Sequence, residues 1–247
     1  MKFKEYGPKK AEVIMLLHGG GLSWWNYAAE AEQLRQEYRV ILPILDGHAG
    51  SDSTFTTIED NAAEIISFTD CELGGSVLLL GGLSLGAQIV LEMLSERKDI
   101  CRHAVVESAS VIPSGLTNAL IGPTFGSSYG LIKNRNFAEL QFRSLHMRSD
   151  LFEAYYRDTC RITRSDMIAF LKANTAYEAK RTLRNCQAEI RIVVGGKERK
   201  NMLRSANILH VMLQNSVLDI KDGLYHGEYS INYPGQYVAD LRGMFRS

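Results

Sequence analysis

The fold of this chain is decided by residues 77–90, which have the sequence VLLLGGLSLGAQIV. The stretch begins as a short apolar run, typical of a buried parallel strand, and ends in an amphipathic pattern, typical of a helix. Between them stands GLSLG, residues 82–86, in which Ser84 has a glycine two positions away on each side. A sharp turn from strand to helix strains the backbone, and the glycines prevent collisions with neighbouring backbone. This context predicts that Ser84 is a nucleophile held clear at the carboxyl edge of a sheet.

A second match to the same pattern is GSSYG, residues 126–130. No apolar run precedes it, and no clear helical pattern follows it. Because the pattern has chemical meaning only between a strand and a helix, we expect this second match to lie in a loop. Ser84, rather than Ser128, is therefore the candidate nucleophile.

Short apolar runs alternate with helical patterns along most of the chain. This alternation predicts an α/β fold, with a mostly parallel sheet and helices on both faces. The predicted strands are Val13–Leu17, Val40–Ile44, Val77–Leu80, Ala104–Val106, Ile190–Val194 and Val217–Ile220. The predicted helices of this core are Tyr27–Glu37, Thr57–Phe68, Ala87–Glu96 and Asn201–Gln214.

The alternation is interrupted once, between the fourth and fifth of these apolar runs. Helical patterns fill part of that interval, and they are Phe137–His146, Leu151–Arg161 and Ser165–Tyr177. We expect residues 111–185 to form a helical cap that is inserted into a core of residues 1–110 and 186–247. An uncharged stretch at its start, residues 111–129, provides either packing surface or an apolar pocket.

Composition excludes several classes of partner. The chain has 247 residues, of which 45% are hydrophobic and 23% charged, as in an ordinary globular protein. Lys and Arg together number 28, as do Asp and Glu, so no net charge draws the chain to nucleic acid or to an anionic membrane. No run approaches the ~20 apolar residues of a membrane span, and no apolar signal segment opens the chain. We expect a cytoplasmic protein, monomeric or homodimeric, that acts on a small molecule.

The four cysteines are widely separated and form no C-x-x-C pair; they are Cys71, Cys101, Cys160 and Cys186. Such spacing favours reduced thiols over a zinc site or a disulfide framework. We therefore expect no metal site.

A glycine-rich loop follows the first predicted strand, with the sequence HGGG at residues 18–21. Glycines let backbone N–H groups approach a ligand closely, so this loop can contribute to an oxyanion hole. The expected donors are the N–H groups of Gly20 and Leu85, with Gly21 as second choice for the first. His18 is expected to hold the loop in place. Trp24 and Trp25, just downstream, either line a substrate pocket together with Gly21 or pack beneath the cap.

A serine nucleophile needs a base, and the position of each histidine narrows the choice. His226 follows the last predicted strand, in the loop KDGLYHG of residues 221–227, at the sheet edge where Ser84 is expected. The other histidines begin a strand, lie in helical patterns or, in the case of His48, stand in a turn-rich segment. His226 is therefore the predicted base.

The third member of such a site is a carboxylate that orients the base. Glu198 leaves the strand end VVGGKE, residues 193–198, in the loop expected beside His226. It gives the order serine, acid, histidine along the chain. Glu107, which follows the strand after the elbow helix, and Asp222, close to the base in sequence, are the alternatives.

Taken in order, these segments resemble the α/β-hydrolase superfamily, in particular its small, lidded, bacterial esterase-like members. The resemblance covers nearly the whole chain outside residues 111–184. It implies a sheet of about eight strands, a helical lid after the sixth strand, and hydrolysis without a cofactor. Glu198 departs from the aspartate that most members carry. Ser84 and Leu85 are not the aspartate and tryptophan of haloalkane dehalogenases, so dehalogenation is disfavoured.

The resulting hypothesis is a serine hydrolase that cleaves a carboxylic ester or a related acyl bond, such as a thioester, of a small substrate through an acyl-enzyme on Ser84. The alternative is a small-ligand sensor on the same scaffold, in which hydrolysis is slow or incidental.

Overall fold

The computed structural model describes residues 1–246, apart from the side chains of residues 126–128. These residues contain one sheet of seven strands. The strands are β1 (Lys2–Tyr6), β2 (Val13–Leu17), β3 (Arg39–Ile44), β4 (Val77–Leu83), β5 (Cys101–Glu107), β6 (Glu189–Gly195) and β7 (Ser216–Lys221). Their order across the sheet is β1-β3-β2-β4-β5-β6-β7. Only β1 runs antiparallel to its neighbour β3, and the other pairs are parallel.

The described chain has ten α-helices, which pack on the faces of the sheet or lie beyond its carboxyl edge. In the first half they are α1 (Ala28–Leu34), α2 (Ile58–Glu72), α3 (Leu85–Glu96) and α4 (Gly115–Ser128). In the second half they are α5 (Arg135–Ser144), α6 (Phe152–Thr159), α7 (Arg164–Ala176), α8 (Lys200–Met212), α9 (Glu228–Asn232) and α10 (Pro234–Met244). Within residues 1–246, none of the helices combines the length and the apolar character that crossing a bilayer requires.

The alternation of side chains along the strands builds a separate core on each face of the sheet. In β2, Met15 and Leu17 point into a cluster shared with α2 and α3, whereas Ile14 and Leu16 point into one shared with α1 and α10. Helices therefore cover both faces, as predicted.

The parallel register brings the carboxyl ends of the central strands to one edge. Leu17 at the end of β2 lies beside Gly82, and Leu83 at the end of β4 lies beside Glu107. The loops that follow β2, β4, β5 and β6 consequently start side by side. This edge is the expected place for a ligand site in an open α/β sheet.

The predicted α/β fold is confirmed, with seven strands rather than about eight. All six predicted runs are strands, but β1 was missed because its sequence KFKEY is largely charged, which an antiparallel edge strand tolerates. The inserted helices accordingly follow the fifth strand, not the sixth. β7 lies at the other edge of the sheet, and its Val217 is 62% exposed.

The segment between β5 and β6 is helical, and α5, α6 and α7 match the three predicted helices to within a few residues. The loop prediction for residues 126–130 was wrong. The backbone of residues 126–128 ends α4, and Tyr129 and Gly130 continue in a 3-10 helix. Packing of α4 against α7 outweighs the poor helix propensity of its glycines and Pro123. The side chain of Ser128 lies outside the described residues.

Candidate active site

Ser84 stands at the turn between β4 and α3, where the sequence placed it. Its φ of 52° and ψ of −110° lie in a region that non-glycine residues seldom adopt. Two backbone hydrogen bonds hold the turn: the Ser84 N–H donates to the Glu107 carbonyl at 2.9 Å, and the Gln88 N–H donates to the Ser84 carbonyl at 3.0 Å. The side chain is half-buried and therefore reachable from outside.

The two flanking glycines are required by close backbone contacts. A Cβ atom at Gly82 would lie 2.5 Å from the carbonyl group of Gly86. A Cβ atom at Gly86 would lie 2.3 Å from the carbonyl oxygen of Leu17 in β2. Both distances are far shorter than a van der Waals contact, so the chain can turn here only with glycine at these positions.

His226 and Glu198 are joined by a hydrogen bond. Nδ1 of His226 lies 2.7 Å from Oε2 of Glu198, while Oε1 of Glu198 accepts hydrogen bonds from the Ser108 hydroxyl at 2.6 Å and the Gly195 N–H at 2.8 Å. The Glu198 side chain is 1% exposed, whereas that of His226 is 48% exposed. This pairing presents one imidazole nitrogen to the carboxylate and leaves Nε2 free for other chemistry.

The environment of Glu198 keeps it ionised. Burial alone would raise the pKa of this carboxyl, but the hydrogen bond and charge of His226, with Ser108 and the Gly195 N–H, lower the pKa below its ordinary value. Glu198 is therefore a charged hydrogen-bond acceptor at neutral pH.

Ser84 and His226 face one small cavity of about 80 Å³, which we call the inner cavity. Its lining also includes Gly20, Leu22, Leu145 and Ile231, so it is largely apolar. Leu83, which precedes Ser84, and Gly227, which follows His226, are neighbours in space: a Cβ atom added to Gly227 would lie 3.0 Å from the Leu83 side chain. Among the described residues, no direct hydrogen bond joins the Ser84 hydroxyl to the imidazole.

Gly20 and Leu85 lie next to each other. A Cβ atom at Gly20 would be 3.6 Å from Cβ of Leu85, and neither N–H donates to another residue of the described chain. The neighbouring amides are occupied. Gly19 N–H donates to Asn26 Oδ1 at 3.2 Å, and Gly21 N–H donates to His48 Nε2 at 3.0 Å. Gly20 and Leu85 are consequently the amides that remain available for an oxyanion.

Two buried histidines fix this glycine loop. His18 Nε2 accepts from the Leu45 N–H at 3.2 Å, and its Nδ1 lies 2.9 Å from the Gly19 carbonyl. Burial, together with the nearby His48, lowers the pKa of His18 to about 3, and burial lowers the pKa of His48 to about 4. Both rings are neutral at physiological pH. His18 thus holds the loop, as expected.

The alternative acids lie elsewhere. Oε1 of Glu107 accepts the Ser230 N–H at 3.2 Å, and Asp222 is exposed. Neither carboxylate bonds to His226, whose hydrogen bond goes to Glu198.

The pocket expected from Gly21, Trp24 and Trp25 is not the one beside Ser84. Trp25 is buried and its Nε1 donates to Asp158 of α6 at 2.9 Å. Lys4 Nζ lies 5.3 Å above the Trp24 ring, on another part of the surface. None of the three lines the inner cavity of the described chain. Trp25 therefore packs beneath the inserted helices, which was the second of the two expectations.

Sequence reasoning missed Ser108 and the bonding role of His48. Ser108 directly follows β5 with a φ of 55°, a left-handed conformation that non-glycine residues seldom adopt, but its partner Glu198 stands 90 positions later. His48 supports Gly21 across 27 positions. No local pattern connects such pairs. Among the described side chains, His, Cys, Asp and Glu form no group of three or more that could hold a metal ion.

A family model described as the alpha/beta hydrolase family matches residues 14–226 of the chain. No curated protein matches the chain in sequence.

Several solved structures are similar in fold. An esterase from Thermogutta terrifontis, with malate bound, superposes with a TM-score of 0.80 at 17% identity, covering 99% of this chain and 92% of that one. A structure from work on carboxylesterases of Nitrososphaera gargenis superposes with a TM-score of 0.79 at 15% identity, covering 99% of this chain and 93% of that one. An enol-lactonase from Burkholderia xenovorans LB400 superposes with a TM-score of 0.81 at 12% identity, covering 100% of this chain and 96% of that one. At these identities the likeness concerns the fold alone.

Proposed function

Because this chain belongs to the alpha/beta hydrolase family, we propose that it is a serine hydrolase that cleaves a carboxylic ester or a related acyl bond of a small substrate. The observation that carries the proposal is the inner cavity. Ser84 and the Glu198-bound imidazole of His226 face it together, beside two unoccupied amides. This set of groups is what nucleophilic acyl transfer requires.

In the first half-reaction, the Ser84 oxygen attacks the acyl carbon while Nε2 of His226 accepts the hydroxyl proton. The N–H groups of Gly20 and Leu85 stabilise the negative charge on the carbonyl oxygen. The bond between the acyl carbon and the leaving oxygen then breaks, and that oxygen takes the proton from His226. An alcohol departs, and an acyl ester of Ser84 remains.

In the second half-reaction, His226 takes a proton from a water molecule whose oxygen attacks the acyl carbon. The bond to Ser84 breaks, the proton returns to the serine oxygen, and the carboxylic acid is released. Glu198 keeps the proton of the neutral imidazole on Nδ1 and stabilises the cation that forms in each half-reaction.

Residues 111–185 act in this proposal as a cap on a core of residues 1–110 and 186–247. Leu145 and Met147 of this segment line the inner cavity, and the Phe170 ring lies close to Gly20, at 3.4 Å from the position of a Cβ atom there. The cap thus shapes the space in which the acyl group sits. A narrow, apolar cavity favours a short, uncharged acyl group.

The test is labelling by a fluorophosphonate probe, which reacts only with activated serines, together with turnover of 4-nitrophenyl acetate. We expect labelling and turnover in wild type and neither in Ser84→Ala or His226→Ala. Absence of labelling of the folded wild type would favour a ligand sensor. Unchanged turnover in folded Ser84→Ala would place the chemistry elsewhere.

A further inference from the structure

A larger cavity of about 420 Å³ opens beside the inner cavity, and we call it the outer cavity. Its walls include Leu145, His146, Lys197, Arg199, Tyr225 and His226. Leu145 and His226 line both cavities, so the two meet at the imidazole. The volume lies within the roughly 300–1,000 Å³ of small-molecule sites, whereas the inner cavity is much smaller.

The lining of the outer cavity carries an excess of positive charge. Lys197 and Arg199 are exposed and take part in none of the ion pairs among residues 1–246. The one carboxylate in the lining is Glu198, whose oxygens are already bonded to His226, Ser108 and Gly195. Two cationic side chains are therefore left without an anion in a concave site.

The wall that carries these charges is held in place. Nζ of Lys197 lies 5.1 Å from the centre of the Tyr225 ring, and that ring stacks on His146 at 3.9 Å with an interplanar angle of 3°. Asn232 of α9 fixes the facing loop, since its Nδ2 donates to the His146 carbonyl at 2.7 Å and its Oδ1 accepts the Arg148 N–H at 3.0 Å. The site is therefore shaped before a ligand arrives.

The chemistry of the proposed function decides which half of the substrate lies here. His226 returns its proton to the leaving oxygen, so that oxygen must come within hydrogen-bond reach of the imidazole. The acyl carbon lies at Ser84 in the inner cavity, and the remainder of the leaving alcohol must continue past His226. The space that opens on that side is the outer cavity.

On this basis, and resting on the proposed function, we propose that the outer cavity binds a negatively charged group on the alcohol half of the ester through Lys197 and Arg199. A carboxylate or a phosphate has the required charge, and the planar guanidinium of Arg199 can bind either through two parallel hydrogen bonds. The natural substrate is thus a short-chain ester of an anionic alcohol.

Matched esters test this assignment. The first pair is 4-acetoxybenzoate and 4-acetoxybenzamide, which match in size and differ in charge on the leaving phenol; their rates are compared after division by the rates of alkaline hydrolysis. The second pair is monophenyl succinate and its terminal amide, which differ in charge on the acyl half. We expect kcat/KM of wild type to favour 4-acetoxybenzoate over its amide by about tenfold, and the preference to shrink as salt rises to 0.5 M. The succinate pair is expected to show no such preference.

Variants assign the effect to the two cations. Lys197→Gln and Arg199→Gln should each lower the benzoate-to-benzamide ratio by about threefold. Lys200→Gln, the same charge change outside the outer cavity, should leave the ratio as in wild type. Lys197→Arg should retain most of the preference, because the charge is kept.

The outcomes separate this inference from the proposed function. A wild type that is labelled by the fluorophosphonate but does not distinguish the benzoate from the benzamide would overturn the anion site alone. A preference for monophenyl succinate would place the anion on the acyl half and also overturn it. A wild type that is neither labelled nor active on any ester would overturn the proposed function itself.

Discussion

In the proposed function, Glu198 orients the base with a side chain one methylene longer than the aspartate that most members of the superfamily carry. The structure accommodates the extra length with two additional donors. Oε1 is held by the Ser108 hydroxyl and the Gly195 N–H, so that Oε2 alone faces His226. The carboxylate is thereby fixed in one orientation, which is what a positioning group needs.

We expect Glu198→Gln to lower kcat by roughly 10³- to 10⁴-fold, because an amide neither stabilises the imidazolium nor enforces the useful tautomer. Steady-state turnover of 4-nitrophenyl acetate measures this. Glu107→Gln and Asp222→Asn, which change the two alternative acids, should stay within about threefold of wild type. A large loss in Glu107→Gln with none in Glu198→Gln would reverse the assignment.

At this scale the sequence predicts the candidate site residues more readily than the residues that hold them in place. Ser84, His226, Glu198 and the glycine loop each sit in a local pattern, a strand end followed by a turn, that depends on nearby residues only. Ser108 has no such pattern, because its importance arises from a hydrogen bond to a residue of another strand end. Sequence alone also left two alternatives open for Trp24 and Trp25, because their surroundings are set by the inserted helices and the amino-terminal strand.

Among the elements, the turn from β4 to α3 depends most on its sequence. The strained conformation of Ser84 persists because the surrounding strands fix the path of the backbone. The flanking glycines avoid steric clashes along that path. Strand and helix on either side were predictable from periodicity. By contrast α4, with three glycines, a proline and little amphipathic pattern, forms through its packing against α7, which a local pattern cannot show.

We expect Gly86→Ala to lower the free energy of unfolding by about 3 kcal/mol or more, because the new methyl group would overlap the backbone of β2. Gly243→Ala is the matched control. That position is exposed near the end of α10 with no neighbouring atom within 4 Å of the added Cβ, so alanine should be neutral or stabilising by up to about 1 kcal/mol. Urea denaturation measures both. Equal stabilities of the two variants would contradict the close approach at Gly86.

At the scale of the whole molecule, two carboxyl groups are buried on the sheet face that α1 and α10 cover. Both oxygens of Glu30 and one of Glu107 make no hydrogen bond to a described residue, nor do the hydroxyls of Tyr27 and Tyr237. Burial, with some repulsion from Glu107, raises the pKa of Glu30 to about 8. Burial, with some repulsion from Glu198, raises the pKa of Glu107 to about 7.

These two carboxyl groups contribute stability that is lost as the pH rises from about 5 to 8, whereas the lowered pKa values of the buried His18 and His48 favour the folded chain as the pH rises. At the two carboxyl groups the folded chain retains protons that the unfolded chain releases near the ordinary pKa of 4.5, so their contribution to the free energy of unfolding falls with each step upward. Glu30→Gln imitates the protonated acid, and should be more stable than wild type by roughly 2–4 kcal/mol at pH 8 and about equal at pH 5.

Urea denaturation across this pH range provides the measurement. Glu32→Gln, on the same helix but exposed, serves as the control and should follow the wild-type curve. A Glu30→Gln curve parallel to that of wild type would show that Glu30 is not the group responsible. Sequence periodicity does not reveal this pair, because Glu30 and Glu107 stand on different elements and meet only after folding.

The inserted residues 111–185 leave the sheet after β5 and return to it at β6, and these two strands are neighbours. Glu107 lies beside Val193, and the Ser108 N–H donates to the Val193 carbonyl at 2.9 Å. Any replacement segment need only bridge one strand spacing of about 4.8 Å to join the same two ends. Ser84, His226 and Glu198 all lie outside the segment. Under the proposed function, natural selection can therefore alter substrate preference by exchanging one stretch of the gene, while the rest of the gene continues to encode the proposed reactive groups unchanged.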